Sequence, residues 1–388
     1  MSPPTQGTFP WLPAINADTD VVVSMTAFIL GILNAYQGLQ PPVLVQRGER
    51  QTTSSLATKY PVEAGSPLFQ KVTGGIEYRE VANLMLPVTA PDPYADAVKA
   101  LVLRMQSNEW TGWGKQPLMI AEAANLIGEI AIAAAIEAGE TTLSADNYLD
   151  GDTADQGFRF FQQGRPCDPL GNASGVKSNL FTGSGTASLG NTDSAAPMTL
   201  ANIDRVWQHI RSVKSQNGKF AMDLRWVATL VHVQDELKAR RYFEEQGEAN
   251  NTVYEPTSDT SNGKTAGSDV FPKPNTAKKY KIEVIASPYL TVPGTWYPIC
   301  QTATIKSYPW LELTQIPKNQ VPFAGATQPS PANTNGAGDL IWTLDDMTSE
   351  GYKHGTKSIP KGYVGIQALK RVAVALMWFD QMFKCKAA

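Results

Sequence analysis

The chain has 388 residues, of which 42% are hydrophobic and 18% charged, with 31 Gly, 27 Pro and a formal net charge of −3. That length allows two or three domains around a substantial core, and the near-neutral balance excludes the basic footprint of a tight, sequence-specific nucleic-acid binder, leaving only weak phosphate contacts. The three cysteines, Cys167, Cys300 and Cys385, are odd in number and far apart. They form neither a disulfide framework nor a metal pattern, which fits a reducing compartment such as a bacterial cytoplasm.

The opening residues, Met1-Ser-Pro-Pro-Thr-Gln-Gly-Thr-Phe-Pro-Trp11, lack the charged and apolar regions of a signal peptide. Residues 1–41 are polar and Pro-rich except for Val21-Val-Val-Ser-Met-Thr-Ala-Phe-Ile-Leu-Gly-Ile-Leu-Asn-Ala-Tyr36. That run suits a short helix, or an extended arm whose apolar side docks elsewhere. Residues 42–92 mix β-branched runs with turn signals: Val43-Leu-Val-Gln46, Gly65-Ser-Pro67, then Gly74-Gly75 before Ile76-Glu-Tyr78. They read as an extended hairpin that Pro87, Pro91 and Pro93 bring to an end. Tyr94 to Met105 reads as a short amphipathic helix using Ala97, Leu101 and Val102.

Lys115 to Gly139 is the strongest local signal. Pro117 fits a first helical turn, Gly139 fits a left-handed cap, and strong helix formers fill the space between. The pattern predicts one helix over 117–138, about 30 Å long, with Glu122, Asn125 and Glu129 as a polar edge. Its length would suit a membrane span, but Glu122, Asn125, Glu129 and Glu137 make insertion costly, so a soluble protein is expected. Some sixty residues rich in Gly, Asn, Asp, Ser and Thr follow, relieved by Phe158-Arg-Phe-Phe161. A free monomer gives so long a loop no reason to order, and contacts with neighbouring subunits are the simplest source of definition.

From Thr199, a plausible N-cap, Ile203, Val206, Ile210 and Val213 recur at helical spacing with Trp207 on the same side. Asn217-Gly218 is a turn, Trp226 to Val233 a buried strand, and Asp235 to Phe243 a short helix. Residues 247–276 are polar and insertion-like. Lys281 to Ala286 and the segment beginning Thr295-Trp-Tyr-Pro298 are strands, followed by a Pro/Gly/Asn-rich loop over 315–338. Leu340 to Leu344 and Tyr363 to Ile366 are strands, and Ala368 to Phe383 is apolar with a period that fits strand or helix. The class is α+β, with no alternating βαβ rhythm and no internal repeat.

Chemistry is hard to find. Gly183-Ser-Gly185 to Gly190 lacks the Lys-Ser/Thr and the strand and helix of a phosphate loop. His209, His232 and His354 show no metal-ligand spacing and read as packing residues. Asp345-Asp346 and Glu244-Glu245 are adjacent, so strand geometry would point each pair to opposite faces. Asp223 and Asp235 flank the His232 strand without a nucleophile beside them. No catalytic, cofactor-binding or metal residue is assigned, and the chain does not read as an enzyme. Trp110, Trp113, Trp296, Trp310, Trp342 and Trp378 lie in Gly/Pro-bounded strands and turns, as core residues or interface anchors.

The order of motifs from the long helix onward resembles the major capsid proteins of tailed bacteriophages, particularly the Mu-like major head subunit family. The resemblance rests on Gly128 within the helix, Asp150-Gly151, Phe160-Phe161, Ser178-Asn179, and the Thr199–Val213 helix. It continues with Gly218, Trp226 to Val233 leading into Gln234-Asp-Glu-Leu237, Ile282 to Leu290, Trp296-Tyr297 and the closing Tyr352 to Val374 region. It covers about residues 110–380. Arg165-Pro166 stands where that family's Phe-Phe element carries a His, and residues 247–276 are longer than its pattern.

The resemblance implies a shell subunit in four parts. These are an N-terminal arm (1–41), an extended hairpin loop (42–92), a peripheral domain (93–198 and 338–388), and an axial domain (199–337). It implies self-assembly into pentamers and hexamers of an icosahedral shell that encloses double-stranded DNA, with scaffolding, portal and decoration proteins as further partners. The protein would be made in the host bacterial cytoplasm and reside in the virion. If Met1 is the encoded start, a separate scaffolding protein, or none, is expected over a fused and removed one. Two other readings remain open: an encapsulin-like compartment of the same fold, and a soluble enzyme. Lys71 is a conceivable donor for a crosslink between subunits, and an ordinary surface lysine is the simpler assignment.

Overall fold

The computed structural model describes residues 35–36, 38–53, 58–63, 83–88, 92–101, 116–141, 159–166, 176–183, 197–214, 221–243, 282–303, 305–315, 340–344 and 363–386. Among the described residues, four helices run α1 (Val43–Arg47), α2 (Gln116–Glu137), α3 (Leu200–Ser212) and α4 (Glu236–Phe243). The first strands are β1 (Glu49–Thr53), β2 (Thr58–Glu63), β3 (Asn83–Val88), β4 (Asp92–Leu101), β5 (Arg165–Pro166), β6 (Val176–Lys177) and β7 (Leu180–Thr182). Then come β8 (Arg225–His232), β9 (Glu283–Ser287), β10 (Trp296–Gln301), β11 (Trp310–Gln315), β12 (Leu340–Leu344), β13 (Tyr363–Leu376) and β14 (Lys384–Lys386). The mixture is α+β, as the sequence pattern predicts.

Two compact units divide the chain, the first comprising 1–62, 85–136 and 310–377, the second 63–84, 137–309 and 378–388.

The first unit is built on β13, whose fourteen residues pair antiparallel with β4, β11 and β12, while β1 adds parallel to β11. Two readings are corrected here. Val43-Leu-Val-Gln46 is helical rather than a strand, because burying Leu44 and Val45 on one side takes a helical turn. Tyr94 to Met105 is no helix as far as it is described: Asp92 to Leu101 pairs residue for residue with Val372 to Tyr363. A ten-residue ladder outweighs the helix propensity of its alanines. Pro93 is tolerated because β4 pairs only with β13 among the described residues. Within the span read as a Pro-bounded hairpin, β2 and β3 pair as a separate two-stranded ribbon. Gly74-Gly75 and Ile76 to Tyr78 lie outside the described residues.

Helix α2 covers the predicted span, but Gly139 is not a left-handed cap. It sits buried in a 3-10 turn, Ala138–Glu140, that tightens the helix end. The polar edge also separates: Glu122 is exposed, Asn125 donates to the Gln40 carbonyl at 2.9 Å, and Glu129 is buried. Lys370 Nζ, from β13, donates to the Ala124 carbonyl at 3.2 Å and lies 3.9 Å from the buried Glu312 carboxylate. Glu312 also meets Arg50 at 3.3 Å. Gly128 faces this group, and Trp310 donates its indole N–H to the Leu44 carbonyl at 2.9 Å.

In the second unit the sheet order is β7-β14-β10-β8-β9. The Thr199 hydroxyl accepts from Asn202 N–H and caps α3, and Ile203, Val206 and Ile210 are buried with Trp226, Trp296, Phe181 and Phe383. Trp226 stacks between Trp207 at 5.8 Å and Trp296 at 5.9 Å, with its N–H donated to the Ala228 carbonyl. The open choice over Ala368 to Phe383 resolves as strand to Leu376 and a 3-10 turn over Phe379–Gln381. Between them Trp378 takes a left-handed backbone, φ 53°, which is strained for a bulky residue.

Candidate functional site

Titratable side chains are placed for packing. His209 Nε2 faces the Ser178 carbonyl at 2.8 Å, its ring set edge-on to Phe181, and burial lowers its pKa despite that hydrogen bond. His232 Nδ1 accepts from Gln234 N–H and caps a 3-10 turn. His354, Asp345-Asp346 and Glu244-Glu245 lie outside the described residues, as do Trp110, Trp113 and most of the Gly183 to Gly190 run. Cys300 and Cys385 are fully buried, and burial pushes both thiols well above their ordinary range, so neither is a ready nucleophile. No group of three or more His, Cys, Asp or Glu among the described residues could hold a metal. Asp223 serves as an exposed partner, 3.3 Å from Arg211 and 3.4 Å from Arg225, and the three line a cleft of about 350 Å³ with Trp207 and Trp226.

What the sequence did not reveal is how three distant motifs meet in the second unit. The Asn179 amide donates to the carbonyls of Phe160 at 2.8 Å, Phe379 at 3.2 Å and Met382 at 3.1 Å. Its oxygen accepts from Gln162 N–H at 2.9 Å. Phe161 lies 6.0 Å from the Tyr297 ring. Lys384 closes the cluster, pairing with Glu140 at 2.6 Å and donating to the Glu137 carbonyl at 3.1 Å. Burial works against the Glu140 charge, but Lys384 and then Lys386 hold its carboxyl below the ordinary range. Burial, with Glu137 and Glu140 nearby, raises the Tyr297 phenol. So the described parts of the long loop, 159–166 and 176–183, are held by residues of this same chain.

Two carboxylates hold a second feature. Glu137 accepts from Thr291 and Val292 N–H, and Asp235 from Gly294 N–H at 2.6 Å. The loop and the turn so fixed expose Val292 (48%) and Val233 (44%), and the first turn of α4 exposes Leu237 (70%). Exposed aliphatic side chains on rigidly held backbone are what a docking surface needs, since little ordering entropy is then lost on contact.

No protein-family profile and no curated protein matches the chain. Solved structures do resemble it. It is similar to a chain of the procapsid of bacteriophage JBD30 at 11% identity and a TM-score of 0.45, covering 94% of this chain and 74% of that one. It is similar to the capsid of the cyanophage P-SCSP1u at 8% identity and a TM-score of 0.45, covering 90% of each. The capsid of the empty GTA particle gives 12% identity and a TM-score of 0.41, covering 90% of this chain and 92% of that one.

Proposed function

We propose that this chain is the major capsid subunit of a tailed bacteriophage, assembling in many copies as pentamers and hexamers of an icosahedral shell around double-stranded DNA. The observation that carries the reading is the convergence on Asn179. Phe160-Phe161, Ser178-Asn179 and Trp296-Tyr297 are three of the motifs whose order resembles the Mu-like major head family. Asn179 and the Phe161–Tyr297 contact gather these three in one place. Scattered chance matches have no reason to form a single hydrogen-bonded constellation.

In this reading the arm (1–41) and the hairpin loop (42–92) reach neighbouring subunits. The peripheral domain (93–198 and 338–388) forms the wall, and the axial domain (199–337) turns its loops toward the symmetry axes. Closed symmetry multiplies individually modest contacts, so a shell gains cooperative strength without tight pairs. Val233, Leu237 and Val292 are assigned to one such contact. The net charge of −3 suits a wall that touches DNA without gripping it. Scaffolding, portal and decoration proteins are the further partners, and assembly takes place in the host bacterial cytoplasm.

Sedimentation and negative-stain microscopy of the purified protein test this. Closed shells of uniform diameter holding nuclease-protected DNA support the reading. Shells filled with protein cargo point instead to an encapsulin-like compartment, and a monomer or small oligomer at high concentration overturns assembly altogether.

A further inference from the structure

One cleft and one strip of strand, far apart in the sequence, carry complementary chemistry. The cleft is the one lined by Trp207, Arg211, Asp223, Arg225 and Trp226 in the second unit. Trp207 and Arg211 stand one turn apart on α3, with the guanidinium carbon 5.6 Å from the Trp207 ring. Trp207 is half-buried and stacks on the buried Trp226, so its place is fixed before anything binds. Asp223 ties the two arginines together, one carboxylate oxygen accepting from each. Each guanidinium uses one of its N–H groups this way and meets no other acceptor among the described residues. Two cations against one anion leave a net positive charge beside an aromatic floor. The two arginine side chains are 51% and 69% exposed, so a partner can reach them.

The strip belongs to β4 in the first unit. Tyr94 is 37% exposed, the most exposed aromatic side chain among the described residues. Asp92 and Asp96, also exposed, stand two positions before and after it. Alternation along a strand puts all three on one side of β4. Asp96 is engaged within this chain, whereas Asp92 makes no ion pair or side-chain hydrogen bond among the described residues.

We propose that Tyr94 and Asp92 of one copy dock in the cleft between Trp207 and Arg225 of a second copy. Charge complementarity selects this occupant: the cleft carries one surplus positive charge, and the strip offers one free carboxylate beside an aromatic ring. A cleft of about 350 Å³ has room for the Tyr94 ring against Trp207. Asp92, about 7 Å along the strand, then comes within reach of the arginines. Trp, Tyr and Arg around a concave centre are the side chains that dominate binding energy in protein interfaces. Cleft and strip both stay open to solvent in this chain, so a single molecule leaves both unused. They are different surfaces, so the contact runs head to tail, and repetition with a closing rotation makes a ring. The inference deepens the shell reading and rests on it for the presence of further copies.

The test is photo-crosslinking in the full chain. Benzoylphenylalanine replaces Tyr94, and the protein is irradiated at the concentration used for particle formation. Denaturing gels separate products of two or more chains from products closed within one, and mass spectrometry maps the joined residues. The expected product holds two or more chains, joined at residues of the cleft. Arg225→Glu and Asp92→Lys should each cut its yield at least fivefold, and the two together should restore at least half of it. Both side chains are exposed, so an unchanged urea midpoint verifies that each variant is folded. A product closed within one chain, a product joined elsewhere, no product, or yields that ignore the reversals or are not restored by their combination overturns the proposal. Large particles without this crosslink remove the contact and keep the shell. The crosslink without large particles keeps the contact and removes the shell.

Discussion

A methyl group on residue 128 would lie 2.5 Å from Oε1 of Glu312, closer than non-bonded atoms approach. Gly128 is therefore the point where α2 meets the buried carboxylate, and a hydrogen is all that fits. Gly128→Ala gains about 1 kcal/mol of helix propensity, but the overlap costs about 1–3 kcal/mol and Val45 blocks escape on the other side. A net loss of up to about 2 kcal/mol in urea unfolding is expected. In a Glu312→Ala background the same substitution should turn neutral or stabilising. An equal loss in both backgrounds would remove Glu312 as the cause.

Asn179 satisfies buried carbonyls from two distant segments and one N–H from its own loop. Asn179→Ala leaves these groups without a partner and should cost about 2–4 kcal/mol. Asn179→Asp should be worse above the carboxylate range, where a charge faces three carbonyl oxygens, and should recover in part on acidification. Equilibrium unfolding of both variants across pH distinguishes the two effects.

Acid should weaken the second unit in two steps. The folded pKa of His209 lies below its ordinary 6.5, so below that pH the unfolded chain takes up the proton first and stability falls as pH drops. His209→Gln, which can still donate toward Ser178, should flatten this step. Glu140 also has a lowered folded pKa, so its contribution is complete above the ordinary 4.5 and is lost as pH falls through the folded value. Lys384→Met should shrink that second step, and Lys384→Met with Lys386→Met should abolish it. Urea midpoints measured from pH 7.5 down to pH 3 would separate them, and a wild-type midpoint that holds steady from pH 7 to pH 5.5 contradicts the first.

Leu237→Asp should leave the far-ultraviolet circular dichroism and the unfolding midpoint near those of the parent, since the side chain is 70% exposed. Particle formation, followed by sedimentation, should fall at least tenfold. Normal particles from this variant would take Leu237 out of the proposed contact.

Thiol chemistry checks the core of the second unit directly. Cys300 and Cys385 are buried with raised pKa values, so a water-soluble maleimide should leave both unlabelled in the folded protein and label them on denaturation. Rapid labelling of either in native conditions would show that the sheet opens there.

Local signals reported faithfully where the residues decide structure among near neighbours. Pro117 and the alanines of α2, the Thr199 cap and the Ile203-Val206-Ile210 spacing of α3 all fold as their pattern predicts. Expectation failed where a distant partner decides. Tyr94 to Leu101 has helix-forming alanines and is a strand only because β13 offers ten residues to pair with. Gly139 looks like a cap, yet the chain tightens into a 3-10 turn beside Phe161, whose N–H bonds its carbonyl at 2.9 Å. The Asn179 constellation was invisible for the same reason: its partners stand 17 to 203 positions away, and no periodicity encodes them.

Strand β14 lies between β7 and β10, so residues 384–386 fill an interior place in a sheet whose other members precede them by at least eighty positions. Until those residues are made, β7 and β10 have no strand to join them, Asn179 lacks the Phe379 and Met382 carbonyls, and Glu140 lacks Lys384 and Lys386. Any truncated product ending before that strand would therefore carry an open seam.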